Sequence, residues 1–333
     1  MPLATVHVGV PAWRGSAPYL AETLESVLRQ VGVDLRVLIS VDGADDSVVA
    51  LCGRFLADPR VAMVVQPTRL GWVGNCNLVL KAGWESGADF YCIHPADDLM
   101  EPGYLGALLA VASSNPGAAV VYSDIVAFGQ LESTIGQHSV TGTALQRQLA
   151  LILRHFDAVA FRGLIRRSRF PDAPPLLRGE AYENFAADAL FMSDLARGGD
   201  LIRLAKPLYR KRYHDANTHM AWGNWSDQTK IGAWATHCAE MFLSALPTAS
   251  SGTERQLLRG AARLRLLQET KPRLGFGKLV AGLTWLQKKK MELAFDKATL
   301  GGGNIGGRLV TLLGVRNHKY LRRKAERAAG LRE

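Results

Sequence analysis

The sequence predicts an α/β fold in which a mostly parallel sheet is flanked by helices, with a helical C-terminal extension. Three observations predict it. Strand-like runs alternate with helical patterns as far as Asp124, the rhythm then changes, and from about Trp222 helical patterns broken by Gly and Pro take over. A chain of 333 residues, 48% of them hydrophobic, has the material for one large domain and an appendage.

The elements follow in order. Val6 to Pro11 is a short apolar run, Tyr19 to Gln30 carries apolar residues at helical spacing, and Leu35 to Val41 is again strand-like, which makes a βαβ unit. The pattern repeats with a helix over 48–56, a strand over 61–66, a helix over 74–86, a strand over 90–94, a helix over 104–113 and a strand over 118–123. A polar, Gly-containing stretch fills 129–142, a helix is expected near 145–155, and 161–170 reads FRGLIRRSRF. The expected domains are 1–220, divided at 124 where the rhythm changes, and a basic helical extension over 221–333.

The charge is unevenly distributed. The net +10 arises at the C-terminus, where residues 251–333 hold 19 Lys and Arg against 6 Asp and Glu. Few aromatics interleave with these charges, so a nucleic-acid partner is not expected. The basic helices are candidates instead for peripheral contact with an anionic membrane, or for packing on the catalytic domain or a second subunit in a homo-oligomer. No window is long and apolar enough to span a bilayer, and the start lacks the pattern of a signal peptide, so a cytoplasmic location, in part at the inner membrane face, is the expectation. Cys52, Cys76, Cys92 and Cys238 show no metal-binding spacing and read as reduced packing residues.

In parallel sheets ligands sit beyond the carboxyl ends of the strands. Two acidic clusters fall there: Asp42 with Asp45 and Asp46, and Asp97 with Asp98. Adjacent carboxylates repel unless a cation lies between them, and Mg²⁺ or Mn²⁺ would leave room for substrate phosphates. The alternative is that Asp97 or Asp98 caps the helix starting near Pro102. Gly301 to Gly306 matches GxGxxG, but no strand precedes it and it reads as a break between helices.

Taken in order, VHVGVPAW, LESVLRQ, LISVDGADD, RLGWVGNCNLVL, FYCIHPADDLMEPGYL and EAYENFAADALFMSDLARGGDLIRLAKPLYRKRYH resemble the inverting GT-A glycosyltransferases of bacterial family 2, over roughly residues 4–220. The resemblance implies a sugar moved from a nucleotide diphosphate donor, UDP- or dTDP-linked, to a hydroxyl of a glycan or lipid-linked acceptor in polysaccharide assembly, with Mn²⁺ or Mg²⁺ as cofactor. It implies that Pro11 and Trp13 border the base, Asp42 accepts from base or ribose, Asp97 binds the metal with Asp98 beside it, and Asp188 is the catalytic base. His214 completes the metal or diphosphate site, Arg210 and Arg212 pair with phosphate, and Asn77, with Asn75, lines or supports the turn facing the nucleotide. Two positions depart from the family pattern. Pro95 replaces the first aspartate of the DxD motif, and Ala187 replaces the glutamate before the base, which leaves Glu183 and Glu180 as substitutes for Asp188. These departures keep a catalytically silent sugar-nucleotide- or glycan-binding subunit open as an alternative, beside a nucleotidyltransferase.

Overall fold

In a computed structural model, residues 3–154, 159–178, 181–215, 217, 222, 224–267, 282–300 and 318–331 are described. The chain forms two compact units, and it passes between them repeatedly. The first comprises 1–139, 157–179 and 198–217, and the second comprises 140–156, 180–197 and 218–333. The Gly301–Gly307 break, the 272–277 break and Glu180 lie outside the described residues.

The first unit is built on β1 (Thr5–Ala12), β2 (Asp34–Val41), β3 (Val61–Val65), β4 (Phe90–Ile93), β5 (Leu99–Met100), β6 (Ala118–Gly129), β7 (Ser133–Ile135), β8 (Leu164–Arg166) and β9 (Asp200–Tyr213). Its order is β3-β2-β1-β4-β8-β6-β9-β5, with β7 beside β6. The pairings among β3, β2, β1 and β4 are parallel, as the alternation with helices requires, while β8, β5 and β7 pair antiparallel. Strand β1 is buried on both faces and reads as a nearly continuous apolar run: Val6, Val8, Val10 and Ala12 on one face are fully buried, and His7 and Gly9 on the other are buried as well.

Helices α1 (Ala17–Leu28), α2 (Asp46–Gly53), α3 (Gly71–Glu85) and α4 (Tyr104–Ser114) cover this sheet. α3 packs on β1, β2 and β4. It approaches so closely at Gly9 that a Cβ there would stand 2.4 Å from Val79 Cβ, so glycine is required. Strand β6 runs on past the expected end at Ser123 as far as Gly129. Its Asp124 is buried yet tolerated because Arg203 grips both carboxylate oxygens at 2.7 Å.

The second unit is helical: α5 (Ala144–Leu153), α6 (Ala187–Gly198), α7 (Asp227–Ala245), α8 (Gly252–Leu267), α9 (Trp285–Leu300) and α10 (His318–Ala328). A Thr143 and Gln146 capping box starts α5. Gln148 and Ser193 exchange hydrogen bonds between α5 and α6, and Ser244 of α7 donates to Asp194. All four cysteines are free and buried, and burial pushes their thiols up to about 11 at Cys52 and about 12 at Cys76, Cys92 and Cys238. No described helix is long and apolar enough to cross a membrane.

Candidate active site

The carboxyl ends of β1, β2 and β4 meet along one rim. Asn75, buried in α3, ties two of them by donating to the Ala12 and Ser40 carbonyls while its Oδ1 accepts from Ser40 Oγ at 2.5 Å. His94 N–H donates to Gly9 O, so the HPADD segment leaves the sheet beside β1.

At the end of β2, Asp42 is buried and its Oδ1 accepts the Leu70 N–H at 2.6 Å, with Arg69 Nε 3.9 Å from Oδ2. Gly43 follows at φ +91°, which turns the chain away from the rim. Asp45, grouped with Asp42 on sequence, instead caps α2 by accepting from the Ser47 and Val48 N–H groups. Trp13 follows β1 with 38% of its surface exposed, and the Arg69 guanidinium lies 6.0 Å from its ring. Pro11, two residues earlier, is half-buried.

The two adjacent aspartates have different surroundings. Asp98 is 1% exposed. Its Oδ2 accepts from Arg162 Nε at 2.9 Å and Tyr209 Oη at 3.2 Å, and its Oδ1 accepts the Arg212 N–H at 2.9 Å. Burial opposes the Arg162 charge, but the Asp98 carboxylate outweighs it and holds that guanidinium above its usual range. Asp97 Oδ2 lies 2.9 Å from His214 Nε2 and 3.4 Å from Asn217 Nδ2. Burial, followed by the like charge of Asp98, raises the Asp97 carboxyl, and the His214 contact offsets this in part. Neither aspartate caps the following helix. They lead into β5, which pairs with β9, and α4 begins after Gly103 in a left-handed turn.

Strand β9 supplies the other wall. Arg212 Nε donates to the Asp97 carbonyl at 3.0 Å and Nη2 to Glu22 at 2.5 Å, while the guanidinium is stacked 4.6 Å from Tyr19 and 4.4 Å from Phe128. Tyr19 also lies under His214, with the ring centroids 4.8 Å apart. Arg210 stands 3.8 Å from Glu101 and over Phe128. His94, fully buried, has Nδ1 2.9 Å from Tyr209 Oη, and burial lowers its pKa to about 4, so it is neutral near pH 7.

A hard divalent cation suits the donors that meet here, a carboxylate and an imidazole beside an amide, and would offset the Asp98 charge that adds to burial in raising Asp97. Among the described residues no third Asp, Glu, His or Cys joins them. Asn77 is engaged at both ends of its amide by the Leu177 backbone, at 2.7 Å each. Arg166, Arg167 and Arg169 are anchored rather than loosely solvated. Arg166 donates to Ala112 and Ala118, Arg167 to Trp84 and Arg169 to Gly198.

Asp188 stands in the second unit, in the first turn of α6, half-buried and accepting the Ala189 N–H at 2.9 Å. The turn before it holds Tyr182, Glu183, Asn184 and Ala186 at φ near +60°. Left-handed backbone at a non-glycine residue costs about 1–2 kcal/mol. Phe185 anchors the turn, buried with its ring 5.0 Å from Trp222, 5.8 Å from Trp225 and 5.9 Å from His237.

Sequence reasoning identified Asp97 and His214, which come together, but missed Arg162, Tyr19 and Tyr209. Arg162 is one of four arginines within FRGLIRRSRF, and only its burial under Asp98 sets it apart. Tyr19 looked like another apolar position of α1.

The glycosyl transferase family 2 model matches residues 7–170. Among solved structures, the chain is similar to S. aureus TarS residues 1–349 in complex with UDP-GlcNAc, with TM-score 0.62, 14% identity, and 98% of this chain and 89% of that chain covered. The same TarS segment in complex with UDP aligns with TM-score 0.53 and 13% identity over 91% of this chain and 95% of that one. The mannosyltransferase PcManGT from Pyrobaculum calidifontis, in complex with GDP-Man and Mn²⁺, gives TM-score 0.50 and 14% identity over 99% and 88%. At such identities the likeness establishes the fold, which is GT-A. No curated protein sequence matches the chain.

Proposed function

We propose that this chain, whose residues 7–170 match the glycosyl transferase family 2 model, is a nucleotide-sugar glycosyltransferase that transfers the sugar with inversion, assisted by a divalent metal. The observation that carries this reading is the meeting of Asp97 and His214 at 2.9 Å on the carboxyl rim of the parallel strands. Asp97 and His214 would hold Mn²⁺ or Mg²⁺, which when bound supplies positive charge for the diphosphate leaving group. UDP-GlcNAc in the TarS complex and GDP-Man in the PcManGT complex favour a nucleoside diphosphate donor.

In this reading Trp13 and Pro11 border the base. Asp42 fixes the Leu70 amide and so shapes the loop around base and ribose. Asp98, held by Arg162, Tyr209 and the Arg212 amide, keeps Asp97 pointing at the diphosphate. Arg212 locks the same loop through the Asp97 carbonyl. Asp188 takes the proton from the acceptor hydroxyl as that oxygen bonds to the anomeric carbon. The anomeric C–O bond to phosphate breaks on the opposite face, its electron pair passing to the diphosphate, so one displacement inverts the centre. The acceptor is a glycan or lipid-linked sugar hydroxyl in polysaccharide assembly.

The test is donor binding and hydrolysis across a panel of nucleotide sugars, with and without Mn²⁺, for wild type, Asp97→Ala and Asp188→Asn. Metal-dependent binding lost in Asp97→Ala, with turnover lost but binding kept in Asp188→Asn, is the expected outcome. Donor binding without turnover in the wild type would favour the silent binding subunit, and absence of binding to every nucleotide sugar would overturn the donor site.

A further inference from the structure

The second unit carries a surface that includes none of the residues assigned to sugar transfer above. Helix α9 has apolar residues on two sides. Met291 and Phe295 are 0% and 1% exposed and belong to the core, whereas Trp285, Leu286 and Leu293 are 71%, 58% and 59% exposed. Positions 286, 290, 293 and 297 recur at helical spacing, so the exposed Lys290 and Lys297 alternate with the two leucines along one face, and the exposed Trp285 stands at the helix N-terminus, about 100° round from Leu286.

Charge on this helix is sorted by side. Its two acidic residues, Glu292 and Asp296, turn toward α8. There Arg263 lies 3.0 Å from Glu292 and Arg259 lies 2.7 Å from Asp296, and Lys289 adds a third contact at 2.8 Å to Glu292. The outward face is left with lysines and large apolar side chains. A single exposed leucine is ordinary on a protein surface, but a continuous apolar and cationic stripe marks a site of contact. Helix α10 adds exposed Arg323, Lys324 and Arg327 to the same unit.

We infer that this face of α9 rests on an anionic lipid bilayer, with Trp285, Leu286 and Leu293 in the boundary between headgroups and acyl chains and Lys290 and Lys297 on lipid phosphates. Charge complementarity selects this occupant. A second copy of a +10 chain would set lysine against lysine in a two-fold contact. A polynucleotide would satisfy the lysines and leave three large apolar side chains in water. The inference does not depend on the donor site.

The experiment is co-sedimentation of the full-length protein with phosphatidylcholine vesicles, with and without phosphatidylglycerol. Binding is expected only with phosphatidylglycerol, falling about tenfold or more in Lys290→Glu/Lys297→Glu and in Leu286→Ser/Leu293→Ser. Donor binding and hydrodynamic size should stay unchanged in both variants. Vesicle binding equal to wild type in both variants, or none by the wild type, overturns the inference. So does a smaller hydrodynamic size in the leucine variant, which would make the face a contact between copies, or preference for a polynucleotide over vesicles.

Discussion

Arg162 Nε lies 2.9 Å from Asp98 Oδ2, and both side chains are withdrawn from solvent beneath the loop that carries Asp97. Removing one partner of a buried pair leaves an uncompensated charge, at a cost of about 3–5 kcal/mol. Arg162→Met should therefore destabilise the protein by that amount and impair metal-dependent donor binding. Asp98→Asn keeps the Arg212 amide contact but leaves the Arg162 guanidinium uncompensated, so it should cost a similar amount. Urea denaturation of the two variants beside wild type checks both losses.

Asn77 joins α3 to Leu177 through two reciprocal hydrogen bonds. Asn77→Asp keeps the acceptor for the Leu177 N–H but sets a carboxylate against the Leu177 carbonyl. We expect a loss of about 1–3 kcal/mol, the cost of an unsatisfied buried group, with donor affinity changed less than about twofold. A large loss of donor affinity at unchanged stability, measured by calorimetric titration beside a denaturation curve, would instead support a contact of Asn77 with the nucleotide.

Two buried histidines set a pH dependence of stability. Burial, with a smaller contribution from Arg36, lowers His7 from 6.5 to about 4, and burial likewise lowers His94 to about 4. Between those values the unfolded chain binds protons that the native state excludes, so these groups make stability rise with pH and fall as pH drops from about 6.5 toward 4. Each accounts for at most about 3 kcal/mol. His7→Leu should make the slope of unfolding free energy against pH shallower by up to about one proton, as read from denaturant curves at several pH values.

The four thiols are buried and their pKa values are raised. A water-soluble thiol reagent at pH 8 should leave the native protein unmodified and label all four after denaturation. Rapid labelling of any one in the native state would contradict its burial.

The parallel half of the fold was legible because its largely buried strands are mostly apolar, and helices of eight to fifteen residues separate them. The antiparallel strands were harder to read. β5 has only two residues and β8 three, too few for any periodicity. β6 appeared to stop at Ser123 because an aspartate follows, and only Arg203, nearly eighty residues later, explains how Asp124 stays inside the sheet. The site divides in the same way. Asp97 and His214 stand in motifs, whereas the residues that orient them, Arg162, Tyr209 and Tyr19, act through distant contacts that no local pattern encodes.

The pairing of β6 with β9 also orders events in time. Its register runs from Ala118 opposite Asp200 to Gly129 opposite Tyr213, so a strand completed early waits for one made some eighty residues later. A ribosome that has released the first 170 residues has supplied the carboxyl rim of β1, β2 and β4 but not Tyr209, Arg212 or His214. Until β9 emerges, Asp98 lacks two of its three partners and Asp97 lacks His214. Nascent chains should therefore complete the surroundings of Asp97 and Asp98 in a single late step, and a chaperone that shields the open edge of β6 during synthesis would protect that step.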